Sequence, residues 1–275
     1  MVTIDPTYDE VSTPWGARLM VDSNDRSHGG HFLATGVSWP EELARLAVWA
    51  RPGATIVDVG ASFGYLASLF AHGVGPDGQV IAFEATGDAF GLLADNMRRN
   101  HPGVHCRHVA ISDRDGRETI YLDRTYHACH SVASGLLPSY SGESEEVDAL
   151  TLDSALSALE AGQGPIDLLK IDVEGAEGRV LAGATRTLER VHRVWVEFWP
   201  AGLQAAGSDP RTVLDDLVGS GFTLTYVDLV TGEGRSDVGP DDVLAYCGEL
   251  AGSTVLADDP QPLYDLVYLL AERRR

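Results

Sequence analysis

One short segment of the sequence places charged side chains at every second position of an otherwise apolar run. Lys170, Asp172 and Glu174 alternate with isoleucine and valine, and side chains two residues apart lie on the same face of a β-strand. Carboxylates at the end of such a strand could remove a proton from a hydroxyl group. The segment is therefore the first candidate for a reaction centre.

Lys170 is the only lysine among the 275 residues. A buried lysine without a partner is costly, so we expect Lys170 to pair with a neighbouring carboxylate or a backbone carbonyl. In one interpretation Lys170 and Asp172 only neutralise each other. In the other they take part in catalysis, because ligands of open α/β sheets bind at the carboxyl ends of the strands.

A strand, a glycine turn and a helix are predicted to follow one another around residues 57–65. Gly60 and Gly64 bracket the turn, with Ser62 and Phe63 between them. Glycine adopts positive φ and lets a ligand approach the backbone, and the first N–H groups of the helix are free to bind it. The Gly-x-Gly-x-x-Gly fingerprint of dinucleotide sites is absent. The turn indicates a polar ligand without a pyrophosphate, or else only connects strand and helix.

An acid, Glu84, ends the next predicted strand at residues 79–84. A carboxylate at that tip can accept both hydroxyls of a ribose, and hydrogen bonds to a charged acceptor contribute about 1.5–3 kcal/mol each. If the ligand also carries a sulfonium, its electrostatic attraction to a carboxylate about 4 Å away is roughly 4 kcal/mol at an effective dielectric constant of about 20. Together with Asp58 and the turn, Glu84 indicates an adenosine ligand. In the alternative, Glu84 is a solvated helix-capping acid.

Three further side chains are candidates for the chemistry. Glu197 lies among aromatic residues near the end of a later apolar run. It could contact the substrate or act as a base, or it could pair with Lys170 or Arg193. His127 and His130 could be bases, lid residues or surface residues.

Two kinds of metal site come into consideration. The spacing of His127, Cys129 and His130 is reminiscent of zinc, but no further close cysteine or histidine completes four ligands. The acids at positions 172, 174 and 197 could instead hold one Mg²⁺, since hard oxygen ligands suit that ion. Mg²⁺ stays an alternative that is not favoured, and no metal ligand is assigned.

The elements that must position these residues alternate along the chain. Apolar strand-like runs and helix-like segments follow one another from about residue 40, which is typical of a parallel sheet covered on both faces. The first helix begins at Pro40, with Glu41 and Glu42 at its positive end, and breaks at Gly53. Strands are predicted at 55–60, 79–84, 104–112, 167–173, 193–199, 222–228 and 264–270, and helices at 65–71, 88–99, 152–160 and 177–188. We predict one α/β domain with a doubly wound, seven-stranded, mostly parallel sheet.

Three regions lie outside this alternation. Residues 1–39 are predicted to form an N-terminal arm or lid, and the domain proper covers 40–275. Insertions are predicted at about 113–150, with a short strand at 118–122 and a polar stretch at 139–146, and at about 229–262. The arm could close over a substrate or only cover the sheet edge. Its candidate residues are Trp15, His28, His31, Phe32 and Trp39.

Composition excludes several classes of protein. The 44% hydrophobic content suffices for a large core, and 20 Lys plus Arg against 41 Asp plus Glu give a net charge of −21. That charge disfavours nucleic acid and anionic membranes as partners. The acidic start, the lack of a long apolar run and the three scattered cysteines predict a cytosolic, reduced protein.

The sequence resembles the FkbM type of class I S-adenosylmethionine-dependent methyltransferases over about residues 40–200, with a weaker match at 264–270. The family usually has Asn where this chain has Ser62, and Pro where it has Ala85. The segments that carry the resemblance are Val57-Asp58-Val59-Gly60-Ala61 with Gly64, Phe83-Glu84-Ala85, Ala110-Ile111-Ser112-Asp113, Leu150-Thr151-Leu152-Asp153, Asp167-Leu168-Leu169-Lys170-Ile171-Asp172-Val173-Glu174-Gly175-Ala176-Glu177 and Val180-Leu181-Ala182-Gly183-Ala184.

The resemblance implies an antiparallel last strand and methyl transfer from S-adenosylmethionine, commonly to a hydroxyl of a small metabolite, sugar or natural product. The alternatives are a methyltransferase that acts on an amine, a NAD(P)-dependent oxidoreductase, and a partner protein that binds the cofactor but has no activity. The cofactor-binding candidates are Asp58, Gly60, Ser62, Phe63, Gly64, Glu84, Ala110, Ser112 and Asp172, with Ala110 and Ser112 near the adenine. The catalytic candidates are Asp172, Lys170, Glu197 and His130.

Overall fold

A central sheet of eight strands organises the computed structural model, which describes residues 7–37, 39–136, 139–229, 231–251 and 266–273. The strands are β1 (Tyr8–Ser12), β2 (Arg18–Asp22), β3 (Thr55–Val59), β4 (Gln79–Glu84), β5 (His105–His108), β6 (Ala110–Ile111), β7 (Gly116–Asp123), β8 (Tyr140–Leu150), β9 (Leu168–Ile171), β10 (Arg193–Phe198), β11 (Phe222–Val227), β12 (Gly234–Val238) and β13 (Val267–Arg273). The α-helices are α1 (His28–Thr35), α2 (Pro40–Ala47), α3 (Tyr65–Val74), α4 (Gly87–Asn100), α5 (Leu152–Ser157), α6 (Glu177–Ala182), α7 (Thr185–Leu188), α8 (Pro200–Ala205), α9 (Pro210–Gly219) and α10 (Pro240–Ala251).

The strand order of the central sheet is β12-β11-β13-β10-β9-β3-β4-β5. Strands β10, β9, β3, β4 and β5 pair in parallel, and β13 lies antiparallel between β10 and β11. The predicted doubly wound sheet with an antiparallel last strand is therefore confirmed. An eighth strand, β12, comes from the predicted insertion at 229–262 and pairs with β11. Part of that predicted insertion, residues 252–262, and the start of the predicted strand at 264 lie outside the described residues.

The insertion at 113–150 forms a second sheet, in the order β6-β8-β7. The predicted strand at 104–112 was wrong as one element, because the chain leaves the central sheet after His108 and β6 joins β8. The polar stretch at 139–146 belongs to the eleven-residue strand β8. Val147 and Ala149 of this strand are buried whereas Glu146 and Asp148 face solvent, so its acidic sequence belongs to a half-exposed strand.

The predicted helix at 177–188 is two short helices, α6 and α7. The break falls at Gly183, where a Cβ atom would lie 2.1 Å from the Ser112 carbonyl oxygen. Asp153 then accepts hydrogen bonds from the backbone N–H groups of Arg186 and Thr187. Asp153 of α5 thus satisfies free N–H groups at the start of the second helix, whose own N-cap residue, Ala184, makes no side-chain hydrogen bond.

The two faces of the central sheet carry different side chains. Apolar residues such as Val57, Leu169 and Val196 fill one face. The other face, with Ile56, Leu168 and Trp195, packs against Leu46 of α2 and Phe70 of α3. The register aligns Asp58 with Lys170 and Lys170 with Trp195, so the polar residues of the strands lie on this second face.

The N-terminal hairpin β1–β2 and helix α1 pack on α3 and α4. Phe32 is fully buried, with its ring centroid 4.8 Å from that of Tyr65. The Trp15 Nε1–H donates to Ser68 Oγ at 2.9 Å. Both aromatic residues therefore stabilise this packing and do not line a binding cleft. The side chains of His28 and His31 lie outside the described atoms.

No helix within the described ranges is both long enough and apolar enough to cross a membrane.

Candidate active site

The turn between β3 and α3 is shaped by two glycines with positive φ, +80° at Gly60 and +92° at Gly64. A Cβ atom at Gly60 would lie 1.9 Å from the carbonyl oxygen of Asp172, which directly follows the neighbouring strand β9. Ser62 between them also has a positive φ of +50°, a conformation that side chains other than Asn and Asp rarely adopt. The turn is thus held against β9 in a form that only glycine permits at position 60.

Glu84, at the tip of β4, is fixed in one orientation. Its Oε2 accepts the Ser62 N–H at 2.9 Å, and its Oε1 accepts the Thr86 N–H at 2.9 Å and the Thr86 hydroxyl at 3.0 Å. The side chain is half-buried and lines a cleft at the carboxyl ends of the strands. Position and orientation are therefore set before any ligand binds.

Lys170 lies beneath the turn and bonds both kinds of partner expected from the sequence. Its Nζ donates to the Gly60 carbonyl oxygen at 2.8 Å and lies 3.4 Å from Asp58 Oδ1 and 3.7 Å from Asp172 Oδ2. Burial disfavours the ammonium, but Asp58, Asp172 and Glu42 outweigh that effect and raise the pKa of Lys170. Lys170 is therefore a cation and does not accept a proton.

Asp58 is fully buried, and neither of its carboxylate oxygens has a hydrogen-bond donor among the described residues. Its contact with Lys170 is an ion pair without hydrogen-bond geometry. Burial raises the pKa of Asp58, and Lys170 opposes this shift. The carboxylate lines the cleft, so a ligand with N–H or O–H groups could satisfy it.

Three more acids converge at the end of β9 and β10. Carboxylate oxygens of Asp172, Glu174 and Glu197 all lie within 4.8 Å of one another. Burial and the neighbouring acids raise the pKa of Glu174 and of Glu197 well above the ordinary value. The Tyr268 hydroxyl donates to Asp172 Oδ2 at 3.2 Å.

Glu177 supports this cluster from α6. Its Oε1 accepts the N–H groups of Val173 at 2.8 Å and Gly175 at 3.2 Å. Burial raises its pKa to about 7, against the effect of these donors. Glu177 therefore fixes the loop that carries Glu174.

Sequence reasoning missed Glu42, which was assigned only to the charged start of α2. Glu42 is buried, lines the cleft and accepts the Trp195 Nε1–H at 3.0 Å. Burial, followed by the charge of Asp172, raises its pKa to about 7. A signal was present, because Glu42 precedes the buried Leu46 by four residues and so shares its helix face.

His130 presents a donor to the cleft. Its Nδ1 accepts the Asp123 N–H at 3.0 Å, so the neutral ring carries its proton on Nε2. Burial, with His127 and Arg124, lowers the pKa of His130 to about 4. A ring in this form donates a hydrogen bond, which does not fit the proton-accepting role considered from the sequence. His127 stacks on it with ring centroids 5.7 Å apart.

Most of the candidate residues meet in this one cleft. Glu197 is 4% exposed and lies behind Asp172 without lining the cleft, while Gly64 starts α3 against Leu93 and Met97. Of the aromatic residues of the arm, Trp39 lines the cleft. The candidates that line it are Asp58, Gly60, Ser62, Phe63, Glu84, Ala110, Ser112, His130, Lys170 and Asp172.

Comparison with known proteins identifies the family. The profile of the methyltransferase FkbM domain matches residues 58–215, which include the turn, Glu84 and the acids of β9 and β10. The chain belongs to the FkbM methyltransferase family. The resemblance noted in the sequence is thereby confirmed.

Two curated proteins that are similar to this chain show the extent of similarity. The 31-O-demethyl-FK506 methyltransferase FkbM of Streptomyces tacrolimicus is 33% identical over 165 residues, which are 50% of this chain and 62% of that protein. The 2-O-methyltransferase NoeI of Sinorhizobium fredii is 29% identical over 177 residues, 60% of this chain and 71% of that protein. The first match thus spans less than two thirds of its relative.

Among solved structures, the methyltransferase FkbM of Methylobacillus flagellatus aligns with a TM-score of 0.42 and 14% identity. The alignment covers 79% of this chain and 43% of that chain. The family assignment therefore rests on the sequence match.

Proposed function

We propose that this FkbM-family chain transfers a methyl group from S-adenosylmethionine to a hydroxyl group of a small molecule. The observation that carries the proposal is the Glu84 carboxylate, which hydrogen bonds hold in one orientation beside the Gly60 turn. When bound, S-adenosylmethionine supplies an electrophilic methyl carbon: the acceptor oxygen forms a C–O bond to it as the S–C bond breaks and its electron pair stays on sulfur.

The adenosine half of the donor fits the residues at one end of the cleft. Glu84 would accept the ribose hydroxyls, and the tight turn at Gly60 lets the ligand approach the backbone. Ala110 and Ser112 would flank the adenine. The Ser112 hydroxyl is held by Glu118 and Arg179, so the wall at this point is rigid.

The cationic half fits the acids at the other end. Asp58, Asp172 and Glu174 line the cleft with Lys170 as their neighbouring cation. The orphaned oxygens of Asp58 suit a ligand with donor groups such as an ammonium. This excess of carboxylates favours a cationic donor, and the missing dinucleotide fingerprint disfavours the NAD(P)-dependent alternative.

Asp172 is assigned as the proton acceptor. It lines the cleft, and the Tyr268 hydroxyl and Lys170 orient its carboxylate through Oδ2. Lys170 is charged and His130 offers a donor, so neither accepts the proton. Lys170 acts as a positioning residue that ties the Gly60 turn to Asp172. The names of two curated relatives, a 31-O-demethyl-FK506 methyltransferase and a 2-O-methyltransferase, support oxygen as the acceptor atom.

The test is product formation from matched acceptors. The chain is incubated with S-adenosylmethionine and pairs of compounds that differ only in a hydroxyl or an amine, and methylated products are detected by mass spectrometry. We expect methylation of hydroxyl compounds, and in Asp172→Asn a kcat about 10²–10⁴-fold lower with cofactor binding retained. Exclusive amine methylation, or full activity of Asp172→Asn, would contradict the proposal.

A further inference from the structure

The carboxylates of Asp172, Glu174 and Glu197 are arranged as a set of ligands. Their oxygens lie within 4.8 Å of one another. Two oxygens bound to one Mg²⁺ at about 2.1 Å are about 3 Å apart when adjacent and about 4 Å apart when opposite. Small side-chain rotations would therefore bring all three onto one ion.

A second observation points to a ligand at this place. Glu197 is 4% exposed, and its buried Oε2 has no hydrogen-bond partner among the residues that the structure describes. This side chain faces the other two acids. A buried carboxylate oxygen without a donor is costly, so an arrangement of this kind needs a proton or a cation.

The neighbouring protein groups do not supply that cation. Lys170 Nζ is 3.7 Å from Asp172 Oδ2, and it already donates to the Gly60 carbonyl oxygen and pairs with Asp58. In the described part of the chain no Lys, Arg or His forms a salt bridge with Glu174 or Glu197. Two of the three acids thus lack a protein cation.

The backbone holds the three acids in place. Glu174 has a positive φ of +55° and is followed by Gly175 with φ of +99°. The Ser131 hydroxyl donates to the Glu174 carbonyl oxygen at 2.7 Å, and Glu177 binds the N–H groups of the same loop. The arrangement is therefore built into the fold.

We propose that Asp172, Glu174 and Glu197 hold one hard divalent cation, of the Mg²⁺, Mn²⁺ or Ca²⁺ class, at the acceptor end of the cleft. Three protein oxygens leave about three positions of a six-coordinate ion for water or substrate. As far as the reaction is concerned, the inference rests on the proposed function, with Asp172 binding the ion through one carboxylate oxygen and accepting the proton on the other. It then predicts an acceptor with two neighbouring oxygen atoms, such as a vicinal diol, which can bind the ion through both.

The site is tested by Mn²⁺ binding to the full chain without cofactor, after treatment with a chelator. Electron paramagnetic resonance of free Mn²⁺ gives the number of ions bound. We expect about one Mn²⁺ per chain, displaced by excess Mg²⁺, with affinity at least about tenfold lower in Glu197→Gln. The matched control is Glu42→Gln, which removes a buried acid of the same cleft outside the three-acid set and should change the affinity by less than about threefold.

A second variant keeps the test informative if Glu197→Gln does not fold. Glu174→Gln changes a half-buried acid at the cleft surface and should weaken Mn²⁺ to a similar extent while circular dichroism shows a native fold. The proposal is overturned if the folded wild type binds no Mn²⁺ at millimolar concentration. It is also overturned if both folded variants bind Mn²⁺ as tightly as the wild type, which is the result for an adventitious ion only.

The outcome is separable from that of the proposed function. S-adenosylmethionine binding, measured by calorimetry in the presence of a chelator, tests the methyl donor alone. Mn²⁺ binding without S-adenosylmethionine binding would leave the cation site standing and remove the methyltransferase proposal. Full methyl transfer in chelator, with the same rate on a vicinal diol and on a matched mono-alcohol, would remove the role of the cation.

Discussion

Glu42 and Lys170 show how single residues around the cleft depend on burial and charge. Glu42 extends from α2 and accepts the Trp195 Nε1–H, and Lys170 lies on the adjoining face of the sheet between Asp58 and Asp172. A buried group of this kind changes the stability of the fold according to which protonation state burial favours.

Glu42→Gln is expected to stabilise the chain at alkaline pH but not at acid pH. The pKa of Glu42 is raised from 4.5 to about 7, so the folded state binds more protons than the unfolded state between these values. Wild-type stability therefore falls as the pH rises through this window, by on the order of 3 kcal/mol. The amide oxygen of Gln can still accept the Trp195 N–H. Urea unfolding without cofactor at pH 4 and pH 8 measures the effect, and an equal difference at both pH values would contradict it.

Lys170→Met is expected to destabilise the chain by about 3–5 kcal/mol, because it leaves the buried carboxylate of Asp58 without a counter-charge. The double variant Asp58→Asn with Lys170→Met removes both charges and should recover part of this loss. Denaturant unfolding of the wild type, the single variants Lys170→Met and Asp58→Asn, and the double variant gives the coupling free energy. Additive effects of the two substitutions would show that the pair does not interact.

Residue positions could be predicted from the sequence where the chemistry requires a particular residue type at a strand end. The partners of Lys170 and the position of Glu84 followed from alternation and strand order. Glu42 could not be assigned in the same way, because an acid in the first turn of a helix is usually solvated. Its burial depends on the packing of α2 over Trp195.

At the scale of elements, the turn between β3 and α3 connects the cofactor end of the cleft with β9. Gly60 and Gly53 have nearly the same φ, +80° and +79°, but only Gly60 has a close neighbour, the Asp172 carbonyl oxygen. Backbone strain and close approach can therefore be separated by one pair of variants.

Gly53→Ala is expected to cost about 1–2 kcal/mol for the left-handed conformation alone. Gly60→Ala should cost about 1–3 kcal/mol more, because its Cβ atom collides with the neighbouring strand, and it should abolish cofactor binding. Thermal unfolding and calorimetry measure the two effects. If both variants were equally stable and bound the cofactor equally well, the close approach of Gly60 to the Asp172 carbonyl oxygen would not matter, which contradicts the prediction.

Strands with both faces buried were predictable from the sequence, whereas the two half-exposed strands β8 and β12 were not. The parallel strands β3, β4, β9 and β10 are apolar and bounded by turn residues, so the sequence marks them clearly. β8 and β12 are polar because they form hairpin partners with exposed side chains. The partner strand decides the pairing of β8 and β12, whereas their polar composition taken alone indicates loops.

For the whole molecule, the acids that give the net charge of −21 fall into two groups, those on the surface and those in the cleft. Most acids lie outside the cleft, and some of them form exposed pairs such as Arg117 with Asp148, each of which contributes little. The excess of acids repels itself in the compact state. The few acids in the cleft are those that bear on function.

Added salt is therefore expected to stabilise the chain. Raising KCl from about 0.05 to 1 M shortens the Debye length from more than 10 Å to about 3 Å and should raise the free energy of unfolding by on the order of 1 kcal/mol. Urea titrations at neutral pH measure the change. A stability that is constant or falls with salt would mean that the exposed ion pairs outweigh the repulsion.

Calorimetric titration tests most directly whether Glu84, the preoriented carboxylate at the tip of β4, binds S-adenosylmethionine. The comparison uses wild type, Glu84→Gln and the control Glu10→Gln, which removes the same charge from an exposed pair outside the cleft. We predict binding by wild type and the control, and a Kd at least about tenfold higher in Glu84→Gln, from the loss of charge-assisted hydrogen bonds. No binding by the folded wild type, or equal affinity of Glu84→Gln, would contradict the account.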